Sequence, residues 1–421
     1  MKRFIPITFF LSLLVASGLN AQEEEKNYGI TWSGFVKTDI YYDSRQVVSA
    51  REGHLLLWPA APSLDVNDED INARGGTNIQ ALQTRLTGKI TGPDALGAKT
   101  SGVIEGAFFG VSNTDVNGFR LRHAFVKLNW TSSELLVGQY WHPMFVTASF
   151  PGTVSFNTGL PFQPFSRNPQ VRFTYGGGNL KFMVAALAHR DFTTAGGSAE
   201  LRNSGLPDLQ AQLTYQAKNA EAGTDFLLGA GAGYKKVMPR LSTAAGYVTE
   251  ASVGSLSFQG FAKAALPAVT VKVEAVYGQN MYDMLQLSSY ATLDMVNPTT
   301  DERSYTPLGN YSLWTDLQTN GNVQVGLFTG YTASTGTSFL GSETELQYTA
   351  AGNYVYAGTR ANIDHVWRVA PRLVYNVQKI RLAAEVEATG AAFGDVNSLG
   401  MVEDATSVTN TRILLAVFYF F

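Results

Sequence analysis

The sequence predicts an all-β fold, namely a transmembrane antiparallel β-barrel of about 16 strands, with short periplasmic turns and long extracellular loops. Three observations lead to this prediction. Segments of about ten residues alternate apolar and polar side chains, which is the length and period of a tilted membrane strand. The links between these segments are alternately short and long. Charged residues make up only 15% of the chain and aromatic residues 12%, which suits a sheet between lipid and water.

The first 21 residues have the layout of a targeting segment. Lys2 and Arg3 supply a positive start, an apolar run follows over 4–15, and Ala21 ends a plausible cleavage site. We therefore predict a cleaved signal peptide over 1–21. A single barrel domain over 22–421 then lies in the outer membrane of a Gram-negative bacterium, in contact with its lipid. A retained membrane anchor is the alternative.

Period-2 alternation is clearest at the end of the chain. Ile413, Leu415, Val417, Tyr419 and Phe421 share one face, and the chain ends on an aromatic residue. A last strand of this kind resembles the signal read by the barrel-assembly machinery, so we expect Phe421 to contact that machinery.

The same alternation recurs along the whole chain, with Asn-Gly, Gly-Gly and Pro chemistry in the short turns. The weakest segments are 169–176 and 310–319, and losing one hairpin would give fourteen strands. The sixteen predicted strands are 29–44, 79–91, 101–113, 118–130, 134–142, 169–176, 179–190, 207–217, 225–236, 253–265, 269–280, 310–319, 323–333, 362–377, 379–391 and 408–421. The predicted long links lie near 46–78, 143–167, 193–206, 237–252, 281–309, 334–361 and 392–407.

The link 143–167 differs from an ordinary solvated loop, because it is rich in Phe, Pro and Gly and holds no Asp or Glu. Such a loop needs shelter from water, and the lumen of the barrel offers it. We expect 143–167 to fold into the lumen as a constriction; packing on the rim or against a neighbouring subunit is the alternative. The residues that we assign to the constriction are Phe145, Phe150, Phe156, Phe162, Phe165 and Arg167.

Charged residues on the polar faces of the strands are expected to line the pore. Arg is more frequent than Lys among the cations, and fixed guanidinium groups favour anions. The alternative is that these charges pair across strands and merely fill a polar lumen. One strand is ambiguous, because Arg122 and Lys127 have opposite parity and a bulge or a rim position is needed. The predicted pore-lining residues are Lys37, Asp39, Arg85, Lys89, Glu105, Arg172, Lys181, Arg368, Arg372, Arg381, Glu385 and Arg412.

Other classes of function have little support in the sequence. Cysteine is absent, which excludes thiolate catalysis and Cys-ligated zinc, and the net charge of −3 gives no reason to expect a nucleic-acid partner. The five His occur without a Gly-x-Ser-x-Gly or His-Glu-x-x-His motif, so we expect no enzyme, no cofactor and no metal site. Acidic residues over 65–70 allow a divalent cation, although a solvated loop explains them as well.

Several motifs together resemble those of general porins, and among these the DcaP-like porins. The segments are 34–43, 83–86, 120–126, 138–141, the Phe-rich loop and 371–373. The resemblance implies a homotrimer with a long third loop folded inward, and passive diffusion of small hydrophilic solutes, including anions. The loop lacks the acidic residues common in general porins, which does not support cation selectivity. A structural or adhesive barrel that acts through its extracellular loops is the alternative.

Overall fold

The computed structural model describes residues 28–421, so the predicted signal peptide lies outside the described residues. Sixteen antiparallel strands, here β1–β16, form one sheet. Their bounds are β1 Gly29–Asp43, β2 Gly76–Gln80 with Arg85–Thr91, β3 Lys99–Phe108, β4 Phe119–Asn129, β5 Ser133–Trp141, β6 Arg167–Gly177, β7 Leu180–Leu187, β8 Asp208–Asn219, β9 Thr224–Val237, β10 Val253–Ala265, β11 Val269–Gln279, β12 Gly309–Thr319, β13 Val323–Gly336, β14 Ile363–Val377, β15 Ile380–Val396 and β16 Val402–Phe420.

The sheet closes on itself, because β1 pairs with β16 in the register Phe35↔Phe420 to Asp43↔Arg412. The two segments of β2 both pair with β1, so they count as one interrupted strand. Closure leaves no unpaired edge, as a spanning sheet requires in lipid. Both ends of the barrel chain lie at the end that carries the short turns.

The prediction of a sixteen-stranded barrel is confirmed, including the two strands with the weakest signals, β6 and β12. Strand β10 has the predicted bounds, 253–265. The predicted long link at 392–407 is wrong in length, since only 397–401 separates β15 from β16. The two strands stay paired out to Val396↔Val402, so the hairpin extends well beyond the neighbouring strands.

The outer face of the barrel is apolar. In β16, Leu415 is 52% exposed whereas the neighbouring Ala416 is 2% exposed, so the alternation separates a lipid-facing side from an inner side. Exposed aromatic rings lie near both ends of the strands, as interfacial girdles do. They include Trp32, Tyr175, Tyr215, Tyr375 and Tyr419 at the short-turn end, and Tyr42, Phe108, Phe119, Tyr311 and Tyr331 at the other end. No helix among residues 28–421 is long and apolar enough to cross a membrane.

The long connections lie at one end and are numbered loops 1–8. They carry a few short elements: the hairpins Val47–Ala50 with Leu55–Pro59, Tyr290–Asn297 with Glu302–Pro307 and Thr349–Ala350 with Asn353–Tyr354, the α-helix Ser198–Asn203, and the 3-10 turns Ile71–Ala73, Asn113–Asp115 and Met281–Met284. The loops are 44–75, 109–118, 142–166, 188–207, 238–252, 280–308, 337–362 and 397–401.

Candidate functional site in the barrel lumen

Loop 3 makes hydrogen bonds to inward-facing side chains on the far wall of the barrel. The backbone N–H groups of Val154 and Ser155 donate to the carboxylate of Glu385 in β15, at 2.8 and 2.9 Å. The N–H of Gly152 donates to Asp316 in β12 at 2.8 Å. Lys37 in β1 donates to the carbonyl of Val154 at 2.9 Å. A segment held by β1, β12 and β15 at once lies across the lumen.

Loops 1, 3 and 6 form a packed apolar layer above this crossing. Phe162 of loop 3 is fully buried and packs on Phe328, with ring centroids 5.9 Å apart. Gly330 leaves room for that ring, because a Cβ there would lie 2.4 Å from Cδ2 of Phe162. The other main members of this layer are Leu55, Leu57, Trp58, Phe145, Phe156, Leu160, Phe165, Leu285 and Leu287.

Arg368 ties two of these loops to the wall. Its buried guanidinium donates to the carbonyls of Leu160 in loop 3 and Leu57 in loop 1, at 2.5 and 3.1 Å. It also donates to Thr389 at 2.8 Å and pairs with Glu387 at 3.2 Å. A guanidinium can satisfy this many acceptors because it carries five N–H donors in a fixed plane.

Several predicted pore-lining charges are held in ion pairs, two of them across strands and one within β1. The guanidinium of Arg372 makes two bonds to Asp316, at 2.7 and 3.1 Å. Arg412 binds Asp43 through two donors, at 2.9 and 2.6 Å. Lys37 lies 3.0 Å from Asp39. These ion pairs stabilise the wall and the loops, and those of Arg372 and Arg412 leave little of their charge for a solute.

The remaining predicted cations lie in three settings. Arg172 donates to the carbonyl of Trp141 at 2.5 Å and packs over the Tyr140 ring. Lys89 and Lys181 are exposed on the inner face near the short turns. Arg85 and Arg381 face a cavity inside the barrel.

This cavity lies below loop 3, on the side of the short turns, and has a volume of about 470 Å³. Five cationic side chains line it, and none of its lining residues, all within 28–421, is Asp or Glu. Aromatic rings from loop 3 and from β1 and β16 make up much of the remaining wall. The five cations are Lys37, Arg85, Arg122, Lys272 and Arg381.

Carboxylates behind the wall compensate these cations only in part. Glu105 is shared between Arg122 at 2.8 Å and Arg85 at 3.7 Å. Arg381 donates to the neutral Asn376 at 2.8 Å. The guanidinium of Arg381 lies 5.6 Å from the centroid of the Phe418 ring and that of Arg85 lies 5.1 Å from the centroid of the Phe35 ring, so both lie over aromatic faces. The cavity is therefore a positively charged chamber with aromatic walls.

Two cavity cations, Arg122 and Lys272, were not among the predicted pore-lining residues. Arg122 faces inward because a β-bulge in β4 places two residues opposite one, with Glu105↔His123 followed by Gly106↔Leu121. The parity conflict in the sequence signalled this bulge. Lys272 lies on the polar face of β11, and period-2 alternation alone identifies it.

Arg167 belongs to the wall and not to the constriction where we had placed it. It is the first residue of β6, and its buried guanidinium pairs with Asp191 of loop 4 at 2.8 Å. Burial acts to raise the pKa of Asp191, but Arg167 and Arg120 lower it, and the net shift is downward. Phe150, at the lower edge of loop 3, is 39% exposed to the cavity.

The fold is that of the outer-membrane porins. No known family model matches the chain, and no curated protein sequence matches it significantly. Among solved structures, the outer membrane channel DcaP of Acinetobacter baumannii matches with a TM-score of 0.65, at 18% identity over 96% of this chain and 100% of that one.

More distant porin folds match as well. The trimer form of OmpT, an outer membrane protein of Vibrio cholerae, gives a TM-score of 0.52 at 12% identity, over 94% of this chain and 100% of that one. The anion-selective porin from Comamonas acidovorans gives 0.53 at 10% identity, with the same two coverages. At these identities the likeness concerns the fold.

Proposed function

We propose that this protein is an outer-membrane porin, and not an enzyme, that lets small hydrophilic solutes diffuse passively and prefers anions. The observation that carries the proposal is the chamber below loop 3, which five cations line without a carboxylate. A positive chamber with low-dielectric walls raises the local concentration of anions and repels cations. The anion-selective porin among the similar folds is consistent with this proposal.

The proposal includes the setting of the barrel. A cleaved signal peptide exports the chain, the assembly machinery reads the last strand with Phe421, and the barrel lies in the lipid of a Gram-negative outer membrane. The functional unit is a homotrimer, and the similar fold of OmpT from Vibrio cholerae has a trimer form.

Single-channel recording in a planar bilayer under a salt gradient tests the selectivity. We expect a reversal potential of anion sign, with conductance steps in groups of three. Arg85→Gln and Arg381→Gln together should move the reversal potential toward zero, because these two guanidinium groups face the chamber with the least compensation. Lys379→Gln removes the same charge from an exposed turn and serves as the control.

The recordings distinguish a failure of the proposed anion preference from a failure of the proposed diffusion function. A cation-signed reversal potential in the wild type, or no effect of the double substitution, contradicts the anion preference. No conductance at all from protein confirmed to be a folded barrel contradicts the diffusion function itself.

A further inference from the structure

A buried cluster of His and Asp side chains lies outside the chamber, where loops 3, 4 and 6 meet. His142 begins loop 3, His189 lies in loop 4, Asp208 begins β8 and Asp283 lies in the 3-10 turn of loop 6. The side chains of these four residues are at most 2% exposed. Lys235 of β9 pairs with Asp283. The proposed pore function gives these residues no role.

Three potential ligand atoms converge in this cluster. The Nε2 atom of His189 lies 3.3 Å from Oδ2 of Asp208 and 3.2 Å from Oδ2 of Asp283. Zinc bonds to His and carboxylate are about 2.0–2.2 Å long, so the edge of a tetrahedral ligand set is roughly 3.3–3.5 Å. The two measured separations are close to that edge. A single N–H on His189 can donate to only one of the two carboxylates.

One carboxylate oxygen of Asp283 is left without a hydrogen bond from the described part of the chain. Its Oδ2 atom is buried and accepts no hydrogen bond from any residue within 28–421, although it points toward His189. A carboxylate oxygen that is buried without a partner is unfavourable, because it has lost its hydrogen bonds to water. An ion bound between Oδ2 and His189 would satisfy it.

Neighbouring groups hold the two carboxylate ligands in place. Gln210 donates to Oδ1 of Asp208 at 2.7 Å, and Lys235 donates to Oδ1 of Asp283, so each carboxylate keeps its other oxygen for the site. His142 accepts the N–H of Met144 at Nδ1, 3.2 Å away, so in the neutral ring the proton is on Nε2. That Nε2 lies 3.4 Å from Oδ2 of Asp208. His142 is therefore a positioning residue and not a ligand, a usual arrangement around metal sites.

We propose that His189, Asp208 and Asp283 form a binding site for one divalent first-row metal ion, of the type that Zn²⁺ represents. Nitrogen and oxygen ligands suit such an ion. This inference departs from the sequence-based expectation of no metal site.

The site would join loop 4, loop 6 and the start of β8. Loop 6 also holds loop 3, because the carbonyl of Met284 accepts the N–H of Phe165 at 3.2 Å. Gln286 donates to the carbonyl of Phe162 at 3.2 Å. Metal binding at Asp283 would therefore stabilise the apolar layer over the chamber.

Metal content measured on the full, folded barrel tests the proposal. The protein is stripped with a chelator and dialysed against Zn²⁺, and zinc per chain is counted by mass spectrometry. We expect one Zn²⁺ per wild-type chain and none above background in His189→Gln or Asp283→Asn. His142→Gln should weaken binding about 10–100-fold, as loss of a positioning partner does. Lys235→Gln should tighten binding, because it removes a positive charge next to the ion.

The control substitution is His365→Gln. His365 also pairs with an aspartate, Asp364, at 2.6 Å, but lies at the rim away from the cluster, so zinc content should not change. Wild-type protein that binds no more zinc than the His189 variant overturns the proposal. If the variants do not fold, Co²⁺ added to the wild type decides: an intense visible spectrum of tetrahedral Co²⁺ supports the site, and the weak spectrum of the hydrated ion overturns it.

Discussion

Replacing Arg368 with Met tests how the loops are attached to the barrel wall. The methionine fills similar space but removes all the donors, so the carbonyls of Leu160 and Leu57 lose their partner and Glu387 loses its counter-charge. Breaking a buried ion pair from one side costs about 3–5 kcal/mol. Each orphaned buried acceptor adds roughly 1–3 kcal/mol, less where the loop can move and find water.

We expect Arg368→Met to lower the free energy of unfolding by about 5 kcal/mol or more. The assay is equilibrium urea unfolding from lipid vesicles, followed by tryptophan fluorescence. The double variant Arg368→Met/Glu387→Gln should recover about 2 kcal/mol or more, because it no longer buries an unpaired charge. Arg190→Met removes an exposed guanidinium of loop 4 and is the control.

A loss below about 1 kcal/mol in the single variant would refute this reasoning, since exposed ion pairs are worth that much at most. A double variant that loses the sum of the two single effects would also contradict it, because independent sites add and a buried pair does not.

Three other perturbations have defined outcomes. Gly330→Leu should displace the Phe162 ring and raise single-channel conductance, because a Cβ at this position would lie only 2.4 Å from the ring. A hydrogen bond from Arg240 is the main cause that lowers the pKa of Asp301 to about 2, so the stability that this contact contributes is fully present above pH 3.8 and is lost as the pH falls through about 2; Arg240→Gln should return the pKa, measured by carboxyl NMR, toward 3.8. Leu415→Arg on the lipid face should cost about 2–4 kcal/mol in vesicle unfolding.

Matched substitutions control these experiments. An added Cβ at Gly260 would have no atom within 4 Å, so Gly260→Leu should leave the conductance unchanged. A higher conductance in this variant would contradict the explanation that displacement of Phe162 opens the channel. Lys218→Gln removes an exposed charge far from Asp301 and should leave its pKa unchanged. Leu64→Arg lies in loop 1, exposed to water, and a cost equal to that of Leu415→Arg would contradict the lipid-facing assignment.

The sequence could predict the strands because a membrane barrel imposes one rule on every strand. Each inner position is followed by a lipid-facing one, so the sequence alone indicates the bounds of β10 and the orientation of β16, although β16 begins six residues before its predicted start. The bulge at Arg122 was visible for the same reason, as a break in parity. The aromatic content of loop 3 indicated that this loop is buried away from water.

The interior of the lumen could not be predicted in the same way. Arg372 pairs with Asp316, which lies 56 residues earlier in the chain. The period-2 pattern shows that both side chains face the lumen, but it does not show that they meet. Loops 1 and 6 also enter the lumen, although the sequence analysis describes them only as long links; the apolar run 55–62, which includes Trp58, was the signal for loop 1. The His–Asp cluster is assembled from four separate segments and has no sequence motif.

The attachment of loop 3 has a consequence for the order of events during assembly. Val154 and its partner Glu385 are 231 residues apart, and Leu57 is 311 residues from Arg368. Glu385 and Arg368 lie on β15 and β14, among the last parts of the chain to leave the ribosome, although loop 3 also has partners on β1 and β12. Loop 3 is therefore synthesised before some of its partners, and its apolar residues stay exposed or bound to a chaperone until the barrel is nearly complete. Contacts of such long range slow folding, so the final hairpins of this protein determine when its interior can form.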